Sequence, residues 1–204
     1  MRVLIACEFS GTVRDAFIAL GHDAVSCDLL PSDSPGPHIQ GDVLAALGDG
    51  WDLMIAHPPC TYLAVSGMHW TTRGMRDQQL TEDALDFVRA LMDAPISSIA
   101  IENPISVIST RIRKPDQIIN PYEFGDDASK KTCLWLKGLS LLKPTKLIAP
   151  RIVTTPSGKQ AKRWGNQCDN YGQDKLPPSP DRWKIRSKTY SGIANAMAAQ
   201  WRSL

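Results

Sequence analysis

Trp51-Asp52-Leu53-Met54-Ile55-Ala56-His57-Pro58-Pro59-Cys60 is an apolar run that stops at two prolines and a thiol. The run reads as a buried strand. The prolines end it, because neither can donate to a sheet ladder and both fix φ. The rigid turn presents one sulfur at the strand's carboxyl end, the edge of an open α/β sheet where ligands bind. Cys60 is therefore a candidate nucleophile by position, although a cysteine after a strand is more commonly a small hydrophobe. The rest of the chain decides between the two.

Towards the amino terminus, Val3-Leu4-Ile5-Ala6-Cys7 is a second continuous apolar run, the mark of a strand buried on both faces. Glu8-Phe9-Ser10-Gly11 follows, then a helix with Val13, Ala16, Phe17 and Leu20 inward, stopped by Gly21. His22 to Asp28 is the next strand and ends in an acid. Strand, glycine-bearing turn, helix, strand and acid is the plan of a mononucleotide-type βαβ unit. Gly11 would let the backbone approach a ligand, and Asp28 could accept hydrogen bonds from a ribose. One glycine in place of G-x-G-x-x-G leaves a plain βα turn equally open. Glu8 would repel a pyrophosphate and favours a ligand with a positive centre. Leu30 to Gln40 reads as a loop, and Gly41-Asp42-Val43 opens a short helix to Leu47. Asp42 either reads an adenine amino group or caps that helix.

Towards the carboxyl terminus, Thr61 to Arg76 mixes aromatic, small and basic residues without periodicity and reads as a loop over a site. A helix with Leu80, Ala84, Val88 and Leu91 inward runs to Met92, and Ser97 to Ile101 is a buried strand ending in Glu102-Asn103-Pro104. Gln117–Tyr122 and Thr132–Leu136 are two further strands, with Ser129-Lys130-Lys131 ahead of the second. From Lys143 to Lys188, eleven basic residues stand against three acids, although the whole chain carries only +2. Trp164, Tyr171 and Trp183 are interleaved with them, which favours a nucleic-acid surface over a solvated basic loop. Ser191 to Trp201 is an Ala-rich helix with Gly192 at its start.

At 204 residues the chain can bury one core and at most a small appended lobe. Its five cysteines are scattered, with no CxxC or Cys/His cluster, so neither a metal site nor a disulfide framework is expected. A reducing, cytoplasmic compartment fits. No stretch is apolar enough to span a bilayer, and Met1-Arg2 leads straight into a strand, leaving no room for a signal peptide.

A lone thiol and a lone carboxyl at two strand ends, a nucleoside-ready turn and a basic surface suit one chemistry. Carbon 5 of a pyrimidine becomes nucleophilic when a thiolate adds at carbon 6 and an acid serves N3. A sulfonium then donates the methyl group.

The chain resembles a small cytosine-C5 DNA methyltransferase. Pro58-Pro59-Cys60 is similar to that family's Pro-Cys motif, Glu102-Asn103-Pro104 to its Glu-Asn-Val motif, and Glu8-Phe9-Ser10-Gly11 to its Phe-x-Gly cofactor loop. The match keeps the family's motif order over nearly the whole chain. It implies an α/β, Rossmann-like class I methyltransferase fold: a mostly parallel sheet, helices on both faces and a small basic lobe. It divides the chain into a catalytic core (1–142), a basic target-recognition-like region (143–188) and a helix returning to the core (189–204). Cys60 is then the nucleophile, Glu102 the acid at N3, Asn103 the shaper of the turn, and Lys130 or Lys131 the holder of the base or its phosphate. S-adenosylmethionine would lie against Glu8, Phe9, Ser10 and Gly11, Asp28 and Leu29, Asp42 and Val43, Pro58, and Gly192 with Ile193, with no metal required. DNA would meet Ser66, Arg73, Lys159, Lys162, Arg163 and Trp164, with the target base flipped from the helix.

Three departures stand out. Ser129-Lys130-Lys131-Thr132 replaces the family's Gln-x-Arg-x-Arg, and lysine lacks arginine's bidentate fork. Proline follows Asn103 where the family has valine. The recognition region is short, so low specificity is expected, with a preference of about two to four bases. Such an enzyme suits bulk marking of a phage or bacterial genome. Two alternatives stay open: C5 methylation of another pyrimidine, in RNA or a nucleotide, and a non-catalytic decoy that binds cofactor and nucleic acid. The oligomeric state is open and compatible with a monomer.

Overall fold

The computed structural model describes residues 1–155, 157–167, 179, 182–187 and 189–202. The sequence readings on Cys168, Asp169, Tyr171, Asp174, Lys175, Asp181 and Lys188, and on the side chains of Arg182 and Trp183, lie outside the described residues.

The chain builds strand β1 (Arg2–Ala6), helix α1 (Thr12–Ile18), β2 (Asp23–Asp28), β3 (His38–Gln40), α2 (Val43–Ala46) and β4 (Leu53–Ala56). It continues with α3 (Val65–Thr72), α4 (Gln79–Met92), β5 (Ser98–Pro104), α5 (Ile108–Arg111), β6 (Gln117–Ile119) and β7 (Thr132–Lys137). The last elements are β8 (Arg151–Thr154), β9 (Gln160–Arg163), α6 (Arg182–Ser187) and α7 (Ser191–Gln200). Seven strands form one sheet in the order β3-β2-β1-β4-β5-β7-β6. The pairings from β3 to β5 are parallel, and β7 runs antiparallel to both of its neighbours. This is the α/β, mostly parallel architecture expected from the sequence.

The apolar runs are continuous because both faces of the sheet are covered. Val3, Ile5, Leu53, Ile55 and Ala100 pack against Val13 and Phe17 of α1 and Ala194 and Met197 of α7. Leu4, Ala6, Met54, Ala56 and Ile101 face the other way, onto Val43, Leu85, Val88, Leu91 and Ile108. The alternation is the two-residue period of a strand. Register then aligns the carboxyl ends: Ala6 lies beside Cys27 and Ala56, and Ala56 beside Ile101. The residues that follow (Cys7, Asp28, His57 and Glu102) therefore share one edge. The strand order reverses between β1 and β4, where such sheets bind ligands.

Several local readings change. Residues 61–76 include a helix, α3, which buries no side chain and so left no periodicity to read. In α4 the inward stripe is Thr81, Leu85, Val88 and Leu91, while Leu80 is exposed. Strand β3 forms within the segment read as a loop, and α5 is a four-residue helix without a sequence signal. Beyond Ile119, Pro121–Glu123 turns into a 3-10 helix. β5 continues through Glu102 and Asn103 to Pro104 because β7 pairs with those residues after β4 has ended.

Arg14 is the unexpected buried charge, wholly inaccessible at one end of α1. Its Nε donates to Asp15 (2.8 Å), Nη1 to the hydroxyls of Ser26 (3.2 Å) and Ser32 (3.1 Å), and Nη2 to Ser34 Oγ (2.7 Å) and Pro35 O (2.9 Å). A buried guanidinium is tolerable only with its donors occupied in this way. Gly11 and Gly36 both pack on it. A Cβ at Gly11 would lie 2.5 Å, and one at Gly36 2.8 Å, from guanidinium atoms. Arg14 thus pins the serine- and proline-rich loop after β2 to the turn after β1.

The basic region contributes a two-stranded hairpin, β8 with β9. Trp164 stacks on Tyr122 at 4.3 Å and 13°, and its Nε1 donates to Ile148 O. Asn166 exchanges two hydrogen bonds with the Ser129 backbone (2.9 and 3.1 Å), so the hairpin's base grips the segment just ahead of Lys130.

Candidate active site at the carboxyl edge of the sheet

The site begins where β4 ends. His57 N donates to Ala6 O at 2.9 Å, which continues the ladder by one bond before the prolines stop it. Asn103 Nδ2 donates to Pro58 O at 2.8 Å in a buried contact. Beyond Cys60, Leu63 N and Ala64 N donate to Cys60 O, Val65 N donates to Ile105 O and Val107 N to Leu63 O. The Cys60 turn is therefore clasped by residues 103–107, the continuation of β5, and is not free to drift. The thiol is exposed. Its pKa is raised, first by the protein that desolvates it; Lys130 opposes this, Glu102 reinforces it, and Arg186 opposes it again.

Glu102, which acts electrostatically on this thiol, is bound to His57: Nδ1 to Oε2 is 2.9 Å, with 11% and 16% of the two side chains exposed. Burial works against charge on both residues, yet their mutual hydrogen bond and attraction prevail. The Glu102 carboxyl is held below, and the His57 imidazole above, its ordinary range. Lys130 and the Thr132 hydroxyl also favour the carboxylate. His57 Nε2 and Asn103 Oδ1 are buried with no partner among the described residues.

Of the two lysines raised as candidates, Lys130 is half-buried and acts electrostatically on Cys60, His57 and Glu102, its Nζ donating to Arg186 O at 3.2 Å. Lys131 points to solvent. Sequence reading quoted His57 but assigned it no role. Only the alignment of β4 with β5 reveals it, because 45 residues separate it from Glu102.

On the other side of the reversal point, Glu8 is buried and already occupied. Its Oε1 accepts from Val13 N (2.7 Å) and Ser10 Oγ (3.1 Å), and its Oε2 from Arg14 N (3.2 Å), so it caps α1. A carboxylate at a helix N-terminus is favoured by the unpaired N–H groups there. The expected pairing of Glu8 with a ligand's positive centre finds its carboxylate committed within the protein. Gly11 has φ 74°, and Cys7 carries the one non-glycine positive φ among the described residues, 58°. Burial, then Asp28, Cys27 and Asp42, push the Cys7 thiol up; the pairing of β1 with β2 and of β2 with β3 puts both acids at the same edge of the sheet as Cys7. Asp28 accepts from Leu30 N and Asp42 from Leu44 N, the latter as a helix cap. Leu29 is exposed, Val43 is in the core, and Pro58 is buried beneath Asn103. Phe9 lies under Lys184, whose Nζ is 5.5 Å from the ring centre and 2.6 Å from Asp33. Gly192 N donates to Asp126 Oδ2 at 2.9 Å, and the Ile193 side chain is buried in the α1–α7 core.

Among the candidate nucleic-acid contacts, Ser66 and Arg73 are exposed on and just after α3. Lys159 and Lys162 are exposed on the hairpin and Arg163 is half-buried, whereas the Trp164 ring is taken up by Tyr122. The described residues contain no cluster of three or more metal-ligating side chains and no helix long and apolar enough to cross a membrane.

No protein-family model and no curated protein matches the chain. Among solved structures it is similar to a candidate DNA modification methyltransferase encoded within a prophage (E. coli). The identity is 13% and the TM-score 0.46, covering 72% of this chain and 52% of that one. It is also similar to the Entamoeba histolytica methyltransferase EhMeth, with 12% identity, a TM-score of 0.49 and coverage of 87% and 63%. The chain thus spans about half to under two thirds of the length of these proteins.

Proposed function

We propose that the chain is a DNA (cytosine-5-)-methyltransferase of low sequence specificity that uses S-adenosylmethionine. The observation that carries this reading is the placement of Cys60 and Glu102 at the carboxyl ends of adjacent strands, locked together by Asn103 on Pro58 O at 2.8 Å. Residues 1–142 would be the catalytic core, 143–188 the target-facing region and 189–204 the returning helix.

The donor set at the end of β1 fits the cofactor. Asp28 and Asp42 converge there as acceptors for ribose and adenine, beside the positive-φ turn at Cys7 and Gly11. When bound, S-adenosylmethionine supplies an electrophilic methyl group on a cationic sulfur. Cys60 gives its proton to water and adds as the thiolate to carbon 6 of the flipped base, and the Lys130 ammonium favours the thiolate. Glu102 serves N3 as electrons move into the ring, which makes carbon 5 enamine-like. After methyl transfer the carbon 5 proton leaves to water, carbons 5 and 6 regain their double bond, and the thiolate departs. The exposed lysines of the hairpin suit phosphate binding, which positions DNA without reading much sequence.

Bisulfite sequencing of plasmid DNA from cells expressing the chain, beside a Cys60→Ser control, tests this. Conversion-resistant cytosines in the wild type alone are expected, and their flanking bases give the specificity. Soluble protein that binds the cofactor yet protects no cytosine would shift the substrate to another pyrimidine or the role to a decoy.

A further inference from the structure

Among the buried titratable side chains to which the chemistry above gives no part, His57 is the one hydrogen-bonded to Glu102. His57 donates through Nδ1 to Glu102 Oε2 at 2.9 Å, and the groups that face it are Glu102 from β5, Glu8 from the turn after β1 and Lys130 from the segment before β7. Cytosine N3 is an acceptor, and it must gain a proton as the ring takes up the electrons displaced by the thiolate. A carboxylate has no proton to give. Of the other donors near Glu102, the Thr132 hydroxyl is too weak an acid to give up its proton, and Lys130 directs its Nζ to the Arg186 carbonyl, with no hydrogen bond to Glu102 among the described contacts.

We propose that His57 is a positioning residue that stores, on Nδ1, the proton which Glu102 delivers to N3. The inference rests on the C5-methylation reading. As the Cys60 sulfur–carbon 6 bond forms, the π pair of carbons 5 and 6 shifts towards carbon 4 and the electrons reach N3. N3 then takes a proton from the Glu102 carboxyl, which has received it from His57 Nδ1, leaving His57 neutral. When the carbon 5 proton departs to water, the carbon 6–sulfur bond breaks and the N3 proton returns through Glu102 to His57. Protons and electrons balance with no further reagent. The resting state agrees: His57 is raised above the ordinary imidazole range and Glu102 lies below the carboxyl range, so the stored proton sits on the imidazole.

The test is methyl transfer to DNA, followed against pH, by the full chain as wild type, His57→Asn and His57→Gln. An asparagine amide can donate the same hydrogen bond to Glu102 but cannot release a proton. The expected result is a His57→Asn protein that melts near the wild type and binds S-adenosylhomocysteine as well, with kcat lower by about 10²–10⁴-fold. The wild-type kcat should fall as pH rises through the elevated imidazole range. The variant's kcat should instead rise as pH falls towards the carboxyl range, where Glu102 carries its own proton. A His57→Asn enzyme within about threefold of wild type and with an unchanged pH profile overturns the inference. If that variant does not fold, His57→Gln takes its place, and a wild-type profile lacking the basic limb overturns it as well. A wild type that methylates no cytosine overturns the C5 reading itself, a result distinct from an active wild type whose His57 variants are unaffected.

Discussion

The turn after β1 and the turn after β4 follow neighbouring strands, yet they are finished to different degrees. Around Glu8 and Arg14 the buried charges are spent on the protein: Glu8 caps α1, and Arg14 occupies the serine loop. Around Cys60, three buried polar atoms (His57 Nε2, Asn103 Oδ1 and Ser106 Oγ) have no partner among the described residues; the other three such atoms are scattered at His22, Thr81 and Gln167. Native proteins pair nearly all buried polar groups, so a cluster of exceptions calls for an explanation. The first turn holds the fold together. The second keeps hydrogen-bonding capacity in reserve beside an exposed thiol.

The largest test of that contrast is Cys60→Ser. It should leave the melting temperature nearly unchanged while lowering methyl transfer by at least about a thousandfold, the scale of removing a nucleophile. It should also abolish covalent trapping by DNA carrying 5-fluorocytosine. Persisting trapping would place the nucleophile elsewhere.

Arg14→Met should act in the opposite sense. It takes one partner each from the Ser26, Ser32 and Ser34 hydroxyls and the Pro35 carbonyl, leaving the hydroxyls their bonds to His38 Nδ1, Ser34 O and Asp15 Oδ2, at a cost of about 2–3 kcal/mol in urea unfolding. Glu8→Gln is milder, because an amide can still accept one hydrogen bond at the helix end. Unfolding should register a loss of about 1–2 kcal/mol, with cofactor affinity changed by less than about threefold. Lost cofactor affinity at full stability would show that Glu8 faces the ligand after all, and the contrast between the turns would fail. The smallest effect belongs to the hairpin. Lys159→Ala and Lys162→Ala should each reduce the slope of log affinity for DNA against log salt by about one, uniformly across sequences.

Much of the sheet was legible. Val3–Ala6 and Leu53–Ala56 are strands because continuous apolar runs have nowhere to go but between two helical layers. The prolines after His57 marked where the chain leaves β4 ahead of Cys60, whereas Glu102 and Pro104 stay within β5 through their pairing with β7. Helix α3 was not legible, because a helix that buries nothing imposes no period on its sequence. Trp164 read as a free aromatic among basic residues, and only the fold shows Tyr122 already against it. The two lysines ahead of β7 were equivalent in sequence, and the backbone's path turns Lys130 inward and Lys131 outward.

By itself the sequence determined the local chemistry: which runs must be buried, where proline halts a strand, and which thiol and carboxyl stand at strand ends. Those properties depend on a residue and its near neighbours. The tertiary structure decided that Glu8 caps a helix, that Arg14 lies at the centre of a serine loop, and that His57 meets Glu102. Each of these contacts joins partners through backbone direction and strand register, and for His57 and Glu102 the register of β4 on β5 is what brings two side chains 45 positions apart to 2.9 Å.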